Sequence, residues 1–176
     1  MEAPYQWFAM RATYKREFVA KDYLQGKGFE VFLPVKKVIK VVRGVKRKVT
    51  VPAINSLIFV KAQKEVLQSL KYGVEYLQYI TRKEEGKNIP IIVPERQMEQ
   101  FIQIVQDDTI DKTYLAPDEV DLREGTRVRI HGVVYDGLEG VLVKVKGKRK
   151  KQFHIVIEGI VTVRTIVENV DLLEVI

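Results

Sequence analysis

The sequence predicts an α+β domain, with an antiparallel sheet flanked by helices, followed by a small all-β barrel. Apolar runs of strand length alternate with runs of helical spacing through residue 106. Residues 107–121 then concentrate acidic side chains around a proline and have little apolar periodicity, which indicates a linker. From Leu122 onward, short β-branched runs separated by turns recur at near-regular spacing. We therefore predict domains at 1–106 and 122–176, joined by an acidic linker at 107–121.

The first elements are a strand, a helix and a second strand. YQWFAMRA (5–12) is an aromatic and apolar run typical of a central strand. In KREFVAKDYLQGKGF, Phe18, Val19, Tyr23 and Leu24 have nearly helical spacing and predict the apolar face of a helix, which the glycines at its end terminate. FEVFLP (29–34) predicts a strand that stops at the proline.

The rest of the first domain begins with a basic hairpin. VKKVIKVVRGVKRKVTVP (35–52) predicts two β-branched arms around the turn Arg43-Gly44. NSLIFVKA (55–62) is almost continuously apolar, the pattern of a strand covered on both faces. The remaining runs predict a short helix (QKEVLQSLKY), a strand (YLQYITR), and a strand that enters a helix at Pro94 (IPIIVPERQMEQFIQIVQ).

The second domain contains only strand-like runs. They are RVRIHGV, EGVLVKVK, QFHIVI, IVTVRTIV and VDLLEVI. Gly132, Gly137 and Gly140 suit tight barrel corners, and we expect Gly140 to have a positive φ. The cations in KGKRKK (146–151) are predicted to lie at an exposed hairpin tip, where charge discourages edge-to-edge strand pairing.

The charge is distributed unevenly along the chain, which allows either affinity for polyanions or a merely solvated surface. Lys and Arg outnumber Asp and Glu by 18 to 8 in residues 1–90 and by 10 to 7 in residues 122–176, whereas acids outnumber bases by 8 to 2 in between. Basic segments attract nucleic acids by neutralising phosphates, although a solvated surface explains the charge equally well. The chain has no cysteine, which excludes a disulfide scaffold and a thiolate zinc site. We find no signal-peptide pattern and no membrane-helix pattern, and we expect a cytoplasmic protein.

Catalytic and metal sites have little support in the sequence. His131 and His154, the only histidines, lie in strand patterns without metal-ligand spacing. Asp107, Asp108 and Asp111 could imitate a divalent-metal cluster, but a linker after a helix explains them better. The chain has no phosphate-binding glycine loop before a Lys-Ser/Thr pair and no nucleophile elbow. We therefore expect neither an enzyme nor a cofactor.

Three stretches in order resemble the NusG family of transcription elongation factors, over essentially the whole chain. WFAMR (7–11) is similar to the family's opening strand, FLPVKKVIKVVRGVKRKVTVPAINSLIFV (32–60) to its proline, basic hairpin and following strand, and GVVYDGLEGV (132–141) to its KOW stretch. The resemblance implies an N-terminal NusG domain followed by an SH3-like KOW barrel.

Some details are more similar to specialised paralogues, such as RfaH and the UpxY antiterminators of capsular polysaccharide operons. These details are KVVRGVKR (40–47) and IVPERQMEQF (92–101). The sequence departs from the family pattern at INSLIFV (54–60), where the family usually reads FPGYVFV and Leu57 replaces the tyrosine.

The resemblance implies a factor that binds the clamp helices of RNA polymerase and suppresses pausing and termination. The positions that match the family's apolar polymerase-binding depression are Pro52, Ile54, Leu57 and Phe59. An amphipathic helix pair needs such exposed aliphatic and aromatic anchors. Because a strand buries alternate side chains, a core role is an equal alternative for Phe59.

A second implied surface contacts the non-template DNA strand through Arg11, Tyr14, Lys15 and Arg16. Cations beside an aromatic ring suit single-stranded nucleic acid, because charge meets phosphates and rings stack on bases. The alternative is a solvated helix face with Tyr14 half-buried. The basic hairpin at 36–48 is open to the same two interpretations.

In the second domain the resemblance implies contact with ribosomal protein S10 through Tyr135, Leu138 and Ile160, although Leu138 also suits the barrel core. We expect a monomer with no membrane partner. The alternative function is a ribosome-associated or general RNA-binding KOW protein, since KOW barrels also occur in ribosomal proteins.

Overall fold

The computed structural model describes residues 2–132, 135–144, 151–167 and 172–176. The cations at 146–150 therefore lie outside the described residues, as do Val133 and Val134 of the KOW-like stretch. The chain divides into two compact units, residues 1–98 and 99–176. Each unit is described by itself.

The described part of the first unit contains two complete helices, the start of a third, and nine strands. The helices are α1 (Glu17–Gly26), α2 (Lys64–Lys71) and α3 (Glu95–Gln106), which continues into the second unit. The strands are β1 (Gln6–Ala12), β2 (Glu30–Phe32), β3 (Val35–Val42), β4 (Val45–Pro52), β5 (Leu57–Ala62), β6 (Leu77–Tyr79), β7 (Thr81–Glu84), β8 (Lys87–Pro90) and β9 (Ile92–Val93).

Strand β1 is the centre of an antiparallel sheet with the order β2-β5-β1-β6, and β9 also pairs with β1. Its aromatic and apolar residues are buried, as the sequence predicts for a central strand. Phe8 and Met10 belong to a core cluster with Leu24 of α1 and Leu67 of α2. Strand β5 is buried on both faces, which confirms the prediction from its continuous apolar run.

Helix α1 forms where it is predicted, but only Leu24 of its predicted apolar face is buried. The buried residues are Glu17, Ala20 and Leu24, whereas Phe18 and Val19 are 39% and 56% exposed. The buried positions follow the spacing i, i+3, i+7. Ala20, at the middle of these three positions, is small enough to let the helix approach the sheet closely. The face with Ala20 is therefore buried in place of the more hydrophobic face with Phe18 and Val19.

Strands β3 and β4 form the predicted basic hairpin and pair with each other in a separate two-stranded sheet. Arg43 and Gly44 have φ values of 51° and 77°. Two successive positive φ values indicate a type I′ turn, whose twist matches that of the flanking strands. From Ile39 to Lys48 every residue is exposed.

The second unit is an antiparallel sheet of six strands in its described residues. They are β10 (Lys112–Leu115), β11 (Thr126–His131), β12 (Glu139–Lys144), β13 (Lys151–Ile157), β14 (Val161–Val167) and β15 (Leu172–Val175), in the order β10-β14-β13-β12-β11-β15. Phe153, Ile155 and Val163 are buried in it. The described residues from 122 onward thus form only strands and turns, as the sequence predicts, whereas closure into a KOW barrel stays a prediction.

Two details of the second unit differ from the sequence predictions. Part of the segment predicted as a linker forms β10, which pairs with Thr162 to Thr165 of β14, and a short 3₁₀ turn follows at Pro117–Glu119. The sequence pattern does not predict this strand, because Tyr114 and Leu115 form a short apolar run between acidic residues and a proline. Gly137 has a positive φ of 83°. Gly140 is not among the glycines with a positive φ, so the prediction of a positive φ at Gly140 is wrong.

Candidate nucleic-acid interface

The loop between β1 and α1 has an uncommon backbone conformation. Tyr14 and Lys15 have φ values of 58° and 56°, a left-handed region that costs non-glycine residues about 1–3 kcal/mol each. The loop is fixed from outside, because the Thr13 backbone N–H and hydroxyl both donate to the carbonyl oxygen of Tyr76, at 2.9 and 3.2 Å. Strain that is retained in this way tends to mark functional sites.

A cleft lined by four tyrosines lies beside this loop. Its volume is about 700 Å³, and its lining includes Tyr14, Arg16, Tyr23, Tyr72 and Tyr76. The Arg16 guanidinium carbon stands 5.1 Å from the centre of the Tyr76 ring, within the range of a cation–π contact. Both Tyr14 and Tyr72 are 84% exposed, so their ring faces are available to a ligand.

Arg16 and Glu75 are the charged residues among those that line the cleft, and a second cation lies beside one of its rings. Lys27 Nζ lies 5.8 Å from the centre of the Tyr23 ring. Lys15 and Arg11 are exposed, although neither lines the cleft. Glu75 is the acidic lining residue. Rings and cations side by side can stack on bases and neutralise phosphates.

The structure therefore brings two of the four predicted nucleic-acid residues, Tyr14 and Arg16, into one cleft. It adds three tyrosines that sequence reasoning missed. The sequence predicts Tyr23 on the apolar face of a helix, Tyr72 at the end of a helix and Tyr76 at the start of a strand. The YGVEY spacing was the available signal, but only the fold shows that this segment faces the 13–16 loop.

The predicted polymerase-binding residues lie along one segment, from the end of β4 into β5. Pro52 and Ile54 are partly exposed, whereas Leu57 and Phe59 are only 3% and 0% exposed. Alternation along β5 places these last two side chains on the face opposite Ile58, which belongs to the core with α1. The polymerase-binding role stays a prediction, and for Leu57 and Phe59 it requires that the buried side chains become accessible.

The predicted partner-binding residues of the second unit have different environments. Leu138 and Ile160 are buried, at 2% and 9% exposure. The Tyr135 hydroxyl donates to Asp107 Oδ2 at 2.6 Å. Burial and, secondarily, this carboxylate raise the pKa of Tyr135 to about 12. The hydrogen bonds that Asp107 accepts from Thr109 and from Tyr135 lower the pKa of Asp107. Contact with another protein through these residues stays a prediction.

Neither histidine stands in a metal-like cluster. Within residues 2–132, 135–144, 151–167 and 172–176, no three His, Asp or Glu side chains are grouped as a metal site would require. His131 instead contacts Glu174 at 2.7 Å, and His154 is buried, which lowers its pKa. None of the helices in the described part of the chain is long and apolar enough to cross a membrane.

Comparison with solved structures finds similar chains at low sequence identity. A Thermotoga maritima NusG, solved in a study of its domain interaction, is 17% identical; the alignment covers 98% of this chain and 97% of that one, with a TM-score of 0.45. A chain of the MjSpt4:Spt5 complex is 13% identical, with 94% and 99% coverage and a TM-score of 0.27. No curated protein matches the chain.

The family is identified from the sequence. The family model described as transcription termination factor NusG matches residues 5–102. The matched span includes the 13–16 loop, the tyrosine cleft and the segment from β4 to β5. Because it covers more than half of the chain, the protein belongs to the NusG family of transcription factors.

Proposed function

We propose that this protein is an elongation and antitermination factor that binds RNA polymerase and holds single-stranded DNA in the tyrosine cleft. The observation that carries the proposal is the cleft itself, in which Tyr14, Tyr72 and Arg16 combine exposed rings with a guanidinium group inside the family-matched region. A base stacked on an aromatic side chain gains about 1–3 kcal/mol whatever its identity. The non-template strand is the single strand that an elongating polymerase exposes.

In this proposal the polymerase contact is the clamp helices, and the segment from Pro52 to Phe59 makes it. Ile54 is the accessible apolar anchor of that segment. Pause suppression then follows from differential affinity, because a ligand that prefers the closed clamp shifts the polymerase toward that state. The protein itself makes and breaks no bond.

The basic hairpin supports a location beside nucleic acid. Residues 35–52 contain seven Lys and Arg and no acid. Lys40 lies directly opposite Arg47, an arrangement that destabilises an isolated hairpin and that a polyanion would relieve. We further propose an operon-specific role, as in RfaH and UpxY proteins, with the second unit binding ribosomal protein S10 through Tyr135.

The nucleic-acid contact is tested by measuring binding of a fluorescent single-stranded DNA oligonucleotide to the parent and to Tyr72→Ala. Tyr72 is 84% exposed, so we expect a folded variant whose affinity falls about 5- to 150-fold, the equivalent of 1–3 kcal/mol. Tyr5→Ala is the matched control, because Tyr5 is 63% exposed and does not line the cleft. Equal affinities for all three proteins would refute the cleft as the DNA site.

The polymerase contact is tested separately, by pull-down of core RNA polymerase from the source cell and by a pausing assay with purified components. We expect the parent to bind the polymerase and to shorten pauses. Duplicate assays with RNA oligonucleotides and ribosomes distinguish this function from the general RNA-binding alternative. Binding to ribosomes or RNA without polymerase binding would favour that alternative.

A further inference from the structure

Glu17 is a buried acid that neither proposed binding surface uses directly. It is 5% exposed and lies in the first turn of α1. A buried carboxylate is costly unless hydrogen bonds compensate for its lost hydration. Its Oε1 atom accepts the backbone N–H of Ser56 at 2.9 Å. Ser56 lies in the turn before β5, 39 positions away along the chain.

The turn that Glu17 holds includes Ile54, a partly exposed residue of the proposed polymerase contact. Ser56 has a φ of 68°, a left-handed conformation that a serine keeps only if its surroundings impose it. Its N–H is bonded to Glu17, and its carbonyl oxygen accepts the Ala12 N–H at 2.8 Å. Both polar groups of the Ser56 backbone are thus fixed, and Ile54 precedes it by two residues.

The same two bonds bracket the loop that lines the tyrosine cleft. Ala12 is the last residue of β1, and Glu17 is the first residue of α1. Thr13 to Arg16 lie between them, so both ends of this loop are bonded to one residue, Ser56. Release of the Glu17 end would let the left-handed Tyr14 and Lys15 relax toward ordinary backbone conformations.

We propose that Glu17 is a positioning residue that joins the nucleic-acid loop to the polymerase-contact turn, so that both surfaces depend on the partly buried hydrogen bond between Glu17 and Ser56. The proposal rests on the function proposed above. Through this bond the loop holds Tyr14 and Arg16 in the cleft, and the turn presents Ile54. The required property is an acceptor oxygen at the Oε1 position, which a glutamine also supplies.

The test compares Glu17→Ala, Glu17→Gln and Glu65→Ala with the parent. Glu65 is the matched control, because it occupies the first turn of α2 and is exposed. Circular dichroism establishes that each protein is folded. Affinities are then measured for a single-stranded DNA oligonucleotide and for core RNA polymerase.

We expect Glu17→Ala to lose about tenfold or more in affinity for both ligands, since it removes the acceptor oxygen and leaves the Ser56 N–H without this partner. Glu17→Gln should stay within about threefold of the parent, because it retains the acceptor. Glu65→Ala should match the parent. A structural role alone would lower the melting temperature of Glu17→Ala and leave both affinities unchanged.

Two results would overturn the inference: a folded Glu17→Ala that binds both ligands like the parent, or a folded Glu17→Gln that is as weak as Glu17→Ala. If Glu17→Ala does not fold, Glu17→Asp replaces it with the same expected and opposing results, because its shorter side chain moves the acceptor away from Ser56. A parent that binds neither ligand would instead refute the proposed function itself.

Discussion

Gly140 is a position where one added methyl group tests the packing of the second unit. It lies in β12, opposite Val128 of β11. A Cβ atom built on Gly140 would stand 2.5 Å from the carbonyl oxygen of His154 and 2.5 Å from Cζ of Phe153. Phe153 is 1% exposed, and the carbonyl belongs to strand β13. Neither neighbour is the free end of a flexible side chain, so the sheet must shift to admit the methyl group.

The size of the effect follows from this crowding. Overpacking a close-packed interior costs about 1–3 kcal/mol, and a clash with backbone places Gly140→Ala toward the upper end. For a domain of about 60–100 residues, each kcal/mol shifts the melting temperature by roughly 4–8 °C. We therefore expect the transition of the second unit to fall by about 4–24 °C.

The assay is thermal unfolding of the full chain, with two comparison variants. Gly137→Ala tests the effect of a positive φ without crowding, because Gly137 has a φ of 83° and open space around its Cβ position. This substitution should lower the free energy of unfolding by about 1–2 kcal/mol. Gly26→Ala has neither strain nor crowding and should be neutral or slightly stabilising. A Gly140→Ala protein that melts within about 2 °C of the parent would refute the close-approach argument.

Three further predictions concern single side chains. Phe59→Ala should cost about 3–5 kcal/mol in urea unfolding because the ring is fully buried, and a cost under about 1 kcal/mol would contradict that burial. The hydrogen bond to Glu174 raises the pKa of His131, so its stabilising contribution is complete below about pH 6.5 and is lost as the pH rises through the raised value. The melting temperature of the parent should therefore fall as the pH rises through this range, and His131→Gln should not show this fall. An equal fall in His131→Gln would exclude His131 as its cause. Lys40→Glu should stabilise the hairpin by about 0.2–1 kcal/mol, because it removes the repulsion between Lys40 and Arg47. Amide hydrogen exchange in the hairpin should become slower, and DNA binding should become weaker. Faster exchange would contradict this prediction.

Local patterns of the sequence determined most of the secondary structure. The continuous apolar run of β5 required burial on both faces, and the Arg43-Gly44 pair required a tight turn between β-branched arms. These features depend on neighbours within a few positions, so periodicity and turn chemistry predict them. The strands of residues 122–176 were predictable for the same reason.

Tertiary structure decided which side chains meet and which are covered. The tyrosine cleft combines the 13–16 loop with residues from Tyr72 to Tyr76, and the bond from Ser56 to Glu17 spans 39 positions. Packing on the sheet selected Ala20 over Val19 as a buried residue of α1, and pairing with β14 made a strand of Lys112–Leu115 within the predicted linker. Periodicity assigns a residue to a face, but the partner of that face is fixed only when distant segments pack together. The burial of β5 could therefore be predicted from the sequence, whereas the hydrogen bond between Ser56 and Glu17 could not.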